Sequence, residues 1–132
     1  MSATGSGAGA RLRVLIVDDQ PVFRRVAREL LRVRGYEVVG EVDCADCVVD
    51  AVERLAPDAV LLDIRLGDES GYAVARALAR CDPAPSVLLV SCTDPGDADE
   101  RARATGACGF LLKGRLAAAD LGRFWPAPHD GA

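Results

Sequence analysis

Four of the five apolar runs in the chain end on a residue suited to phosphoryl or metal chemistry. RVLIV ends at Asp18-Asp19, DAVLL at Asp63, SVLLV at Ser91 and GFLL at Lys113. If these runs are parallel strands, their carboxyl ends share one sheet edge, which is where open α/β folds place their sites. Three carboxylates, a hydroxyl and an ammonium would then meet in one cleft. Such a carboxylate set prefers a hard cation, Mg²⁺ above all, which keeps several waters and takes one or two carboxylates. Lys113 would supply positive charge to phosphoryl oxygens and Ser91 a hydrogen-bond donor, the ingredients of phosphoryl transfer. A carboxylate can itself act as the nucleophile and become an aspartyl phosphate. Lys113 carries extra weight because it is the only lysine; the other fifteen basic residues are arginine. Each residue also has an ordinary reading, since an Asp at a strand end often serves as a turn residue or helix cap. Their joint placement is what points to a site.

The elements that must position these groups follow from periodicity. From Arg11 onward, apolar strands alternate with stretches of helical period, the pattern of βα units and a mostly parallel sheet. Helices are expected over 21–34, 45–56, 71–80, 97–105 and 115–125. Pro21 suits a first helical turn, while Gly35 and Pro57 supply stops. Phe23, Val26, Ala27, Leu30 and Leu31 form the expected inner face of the first helix, and Leu116, Leu121, Phe124 and Trp125 that of the last. The helix over 97–105 has only alanines to bury and should be weakly held. YEVVGEV, with no chemical cluster at its end, is the expected edge strand. The predicted fold is a flavodoxin-like, doubly wound five-stranded parallel sheet in the order 2-1-3-4-5, with helices on both faces.

At 132 residues the chain is long enough for one domain and too short for two. The Gly/Ser/Ala-rich residues 1–10 read as a disordered leader, 11–125 as the domain and 126–132 as a tail. A net charge of −4 with scattered arginines argues against nucleic-acid and anionic-membrane binding. The apolar runs are too short to span a bilayer, and the first residues lack a basic-then-apolar signal pattern, so a cytoplasmic location is expected. Five cysteines fit reduced thiols. Cys44-Ala-Asp-Cys47 is a C-x-x-C motif, but a zinc site would need two more ligands, and the one histidine, His129, lies in the tail.

Over residues 11 to about 122 the sequence resembles the receiver domain of two-component response regulators. VLIVDDQ matches the family's acidic pair, VLLDIRLGDESG its acceptor segment with a glycine eight residues on, VLLVSCT its Ser/Thr strand and GFLLK its lysine strand. The resemblance implies that Asp63 is the phosphoacceptor, taking a phosphoryl group from a sensor histidine kinase or phosphotransfer protein. It implies that Asp19, Asp63 and the backbone carbonyl of Arg65 ligate Mg²⁺, with Asp18 acting through water. Lys113 and Ser91 would bind the phosphoryl group, and Phe110 would follow Ser91 inward. Arg65 and Thr93 would tune the phosphoryl lifetime. Output would pass through the face of the fourth helix, fifth strand and fifth helix, to an unidentified protein target or a second copy of the chain. Where relatives often carry proline, four residues after the acceptor and directly after the lysine, this chain has Gly67 and Gly114.

On this reading the protein is a stand-alone phosphoacceptor signalling domain, catalysing only its own phosphorylation and dephosphorylation. The alternatives are a receiver-shaped binding module that needs no phosphorylation, a flavin carrier of the same fold class, a phosphatase and a thiol redox protein. A flavin carrier would need a phosphate-cradling loop after the first strand, where Asp18-Asp19 stands instead. A phosphatase with an aspartyl nucleophile would want a second acid two residues later, which Asp63-Ile64-Arg65 does not offer. A thiol redox protein would rest on Cys44 and Cys47.

Overall fold

The computed structural model describes residues 11–125; the expected leader and tail lie outside the described residues. The main sheet has five parallel strands: β1 (Arg13–Val17), β2 (Glu37–Val42), β3 (Ala59–Asp63), β4 (Ser86–Ser91) and β5 (Gly109–Leu112). Their order is β2-β1-β3-β4-β5, as the sequence predicts, with YEVVGEV on an edge. β1 and β3 read as unbroken apolar runs because helices cover both faces of a parallel sheet; every residue of β3 is buried.

Among the described residues four α-helices connect the strands: α1 (Pro21–Val33), α2 (Val48–Leu55), α3 (Gly71–Ala79) and α4 (Ala98–Ala104). A 3₁₀ turn, Ala45–Cys47, precedes α2. α2, α3 and α4 pack on one side of the sheet, around Leu15, Val17, Val60, Leu62 and Leu89. α1 and the C-terminal segment cover the other side, around Val14, Ile16, Leu61, Leu88 and Val90. Alternate residues of one strand therefore belong to different cores, the period-two rule of a pleated strand. α1 departs from its expected inner face at one position, since Val26 is 54% exposed, as are Val22 (68%) and Val33 (81%).

The fifth helix expected over 115–125 is not there. Lys113–Ala118 forms a 3₁₀ helix, Ala119 is extended at φ −76° and ψ 147°, and Asp120 caps a second short 3₁₀ turn, Leu121–Arg123. The cause lies in the spacing of the apolar residues. At 3.6 residues per turn, Leu121 would sit about 140° around a continuous α-helix from Leu116, and Trp125 about 180°. One straight helix would leave part of this set in water. The break at Ala119 lets Leu116, Leu121 and Trp125 all be buried in the α1-side core. The Arg34 guanidinium donates to the carbonyls of Ala117 and Ala119 at the break. The expected output face of fourth helix, fifth strand and fifth helix accordingly lacks its third element.

Candidate functional site

Strand parity decides which side chains meet. Asp18, Asp63 and Lys113 each lie two residues beyond a side chain of the α1-side core (Ile16, Leu61 and Leu111). All three therefore point to the same side at the sheet's carboxyl edge, and a one-residue slip in any strand would remove one of them. Ser91 has the opposite parity, in line with Leu89. Its strand neighbour is Leu112, and Phe110 pairs with Leu89 on that same face, packed against the α2–α4 core. Ser91 and Phe110 thus share a sheet face, as the expected inward coupling between them requires.

Oxygens of Asp18, Asp19 and Asp63 lie within 4.8 Å of one another. Lys113 Nζ stands 2.7 Å from Asp18 Oδ2 and donates to Asp63 Oδ2 at 2.9 Å. It also donates to Gln20 Oε1 at 3.0 Å and lies 4.4 Å from the centre of the Phe23 ring. The lysine side chain is 7% exposed. Burial alone would lower its pKa; the bonds to Asp18 and Asp63 outweigh that and hold the ammonium above its ordinary range. Burial pushes the Asp18 carboxyl up, and the Asp63 charge adds to this, against the opposing pull of Lys113 and the Gln20 amide. One ammonium is shared by crowded carboxylates, an arrangement in which a second cation relieves repulsion.

The backbone fixes the carboxylates. The Gln20 N–H donates to Asp18 Oδ1 at 2.8 Å, the Arg65 N–H to Asp63 Oδ1 at 3.0 Å and the Gly67 N–H to Asp19 Oδ2 at 2.9 Å. The last two donors belong to a small antiparallel ribbon, Arg65–Leu66 paired with Glu69–Ser70. Gly67, at φ +61°, makes its turn, a backbone region that glycine enters at little cost. The ribbon leads into α3, where Ser70 Oγ accepts from the Tyr72 N–H and caps the helix. Gly71 is required by close approach: a Cβ there would lie 2.0 Å from the Asp63 carbonyl oxygen. Ser91 Oγ accepts from the Thr93 N–H at 3.2 Å, which places Thr93 beside the hydroxyl. The side chain of Arg65 is exposed at the rim. The peptide following Lys113 is trans.

Asp18, Asp19, Asp63, Arg65, Ser91, Thr93 and Lys113 thus lie at or next to this edge, with Phe110 further back along β5. Sequence reasoning missed Gln20 and Phe23, which complete the surroundings of Lys113, and Arg24, whose guanidinium donates to the Asp18 carbonyl at 2.7 Å. Gln20 was visible only as the residue after the acidic pair and Phe23 only as part of the inner face of α1, while Arg24 carries no signal of its own in the sequence. Beside the acids lies an open groove of about 790 Å³, lined by Asp19, Phe23, Val26, Lys113, Leu116 and others.

A family model described as "Response regulator receiver domain" matches residues 14–121. Among curated proteins, the chain is 36% identical over 110 residues to the transcriptional regulatory protein PdtaR of Mycobacterium tuberculosis, covering 83% of this chain and 53% of that protein. It is 32% identical over 104 residues to the response regulator GacA of Pseudomonas aeruginosa, covering 78% and 49%. The chain thus spans about half the length of these relatives. Among solved structures, the signal receiver domain of NarL from M. tuberculosis superposes with a TM-score of 0.76 at 33% identity, covering 83% of this chain and 89% of that one.

Proposed function

The chain belongs to the response regulator receiver family, and from that premise we propose that it accepts a phosphoryl group on Asp63 in a Mg²⁺-dependent reaction. The observation that carries this reading is the meeting of Asp18, Asp19 and Asp63 within 4.8 Å, with Lys113 bonded to the acceptor carboxylate. The donor set fits the ion, being all hard oxygen and charge-crowded. Asp19, Asp63 and the Arg65 carbonyl would hold it directly, and Asp18 through water. Bound there, Mg²⁺ neutralises charge on the phosphoryl oxygens.

The protein's own groups do the positioning. The Arg65 N–H holds Asp63 Oδ1, which leaves the carboxylate oriented by its backbone and by Lys113. The carboxylate attacks phosphorus, and the bond from phosphorus to the donor's histidine nitrogen breaks. Lys113 moves its hydrogen bond from Asp63 to a phosphoryl oxygen, and Ser91 Oγ–H donates to another. Phe110, on the Ser91 face, then repacks against the α4 side. Thr93 and Arg65, flanking Ser91 and Asp63, set how readily water reaches the product.

The partners are a histidine kinase or phosphotransfer protein upstream and a protein target downstream. The groove between α1 and the 113–118 segment, open beside Lys113, would receive the phosphodonor. Intact-mass analysis after incubation with acetyl phosphate tests the reading. It predicts one phosphoryl adduct that requires Mg²⁺ and is lost in Asp63→Asn; an adduct equally strong without Mg²⁺ would contradict it. A folded protein that gains no adduct, from acetyl phosphate or from a histidine kinase, would favour a phosphorylation-independent binding module.

A further inference from the structure

The C-x-x-C motif plays no part in the acidic site, yet the fold builds it into a pair. Cys44 and Cys47 bracket the 3₁₀ turn between β2 and α2, Cys44 capping the turn and Cys47 closing it. In a 3₁₀ turn, residues three apart eclipse one another at about 2 Å of rise per residue, so roughly 6 Å separates them along the axis. That lies inside the window of about 4.4–6.8 Å between Cα atoms that a disulfide bridges. The neighbouring Cys44 thiol, with burial and the Asp43 and Asp46 charges, holds Cys47 above the ordinary thiol range. Cys47 is exposed and Cys44 half-buried, so a small oxidant reaches the pair from solvent. Two of the remaining cysteines are engaged with backbone instead. Cys108 Sγ donates to the Val87 carbonyl at 3.0 Å, with burial pushing its pKa up to about 11, and Cys81 Sγ donates to the Ala77 carbonyl at 3.9 Å.

We propose that Cys44 and Cys47 are a thiol–disulfide exchange site that closes to an intramolecular disulfide on meeting a low-molecular-weight disulfide. The Cys47 thiolate attacks one sulfur of the incoming disulfide, forming a mixed disulfide and releasing one small thiolate. Cys44, as its thiolate, then displaces the second. Two electrons pass from the cysteine sulfurs to the small molecule, and the two cysteine protons end on the two released thiols. The bridge staples a turn that begins two residues after Val42, whose carbonyl accepts the Asp18 N–H at 3.0 Å. The exchange site therefore lies one strand away from the acidic cluster.

The test uses oxidised glutathione as the probe on the full chain in a Cys92→Ser background, which removes the exposed third thiol. After incubation, free thiols are alkylated and the protein is digested and weighed. The expected peptide containing Cys44 and Cys47 is lighter than its reduced form by two hydrogens, carries neither alkyl group nor glutathione, and regains both thiols with dithiothreitol. Cys44→Ser should instead trap glutathione on Cys47. Two alkylated thiols after prolonged incubation, or a glutathione retained on Cys47 while Cys44 stays free, would overturn the proposal. Neither result bears on Asp63, so the exchange site and the phosphoacceptor reading stand or fall separately.

Discussion

Lys113 shows how one side chain sets the electrostatics of the acidic edge. Its ammonium is nearly buried and faces Asp18 and Asp63 at 2.7 and 2.9 Å. Replacing it by methionine keeps the stem and deletes the charge, leaving two buried carboxylates uncompensated. Breaking a buried pair in this way costs about 3–5 kcal/mol. Urea unfolding of Lys113→Met should show a loss of that order, partly recovered by millimolar Mg²⁺; recovery by Na⁺ at equal ionic strength would contradict a specific cation site. Arg65 acts differently, since its backbone N–H holds Asp63 while its side chain stands exposed at the rim. Arg65→Ala should leave acceptor geometry intact and hasten hydrolysis of the phosphorylated protein several-fold; equal decay of the two proteins would remove Arg65 from that role. At this scale the sequence was informative wherever a residue ends a strand, because a strand end has a known place. Gln20 and Phe23 reach Lys113 from the start of α1, and that contact exists only once helix and sheet are packed.

Strand and helix positions follow from apolar period, but the last element shows where period misleads. Leu116, Leu121 and Trp125 are buried as the sequence predicts and Phe124 is half-buried, yet their spacing does not fit one helical face. The chain resolves the conflict with two short 3₁₀ turns around an extended Ala119. Trp125 then anchors the segment, 1% exposed and edge-on to Tyr36 with ring centres 5.6 Å apart. Trp125→Ala should destabilise the protein by about 3–5 kcal/mol, measured by thermal or urea unfolding; a change near zero would mean that this segment is not docked. The expectation of a lightly held fourth helix agrees with the structure: α4 buries only Ala98 and Ala102. A further tie is Arg101, whose guanidinium lies 4.2 Å from the centre of the Tyr72 ring. Such a cation–π contact is worth about 0.5–1 kcal/mol at an exposed site. Arg101→Ala should therefore speed amide exchange across 98–104 a few-fold while leaving β3 and β4 unchanged; unchanged exchange in α4 would show that its backbone does not depend on this contact.

At the scale of the whole molecule, four apolar runs with polar endings locate the site, and the less apolar YEVVGEV takes an edge of the sheet. The runs are too apolar for anything but strands covered on both faces, and parallel connection sends every carboxyl end to one edge. The sequence could not reveal the ribbon that delivers the Arg65 and Gly67 amides, because two-residue strands have no periodicity to detect. Among the described residues no helix is long and apolar enough to cross a membrane. The central claim is that this edge directs a phosphoryl group to Asp63 and not to its acidic neighbours. Borohydride trapping after acetyl phosphate and Mg²⁺ tests it most directly, because the reagent reduces an aspartyl phosphate to homoserine and so marks the acceptor permanently. Peptide sequencing by mass spectrometry should find that conversion at position 63 alone. Conversion at position 18 or 19, with position 63 unmodified, would contradict the account.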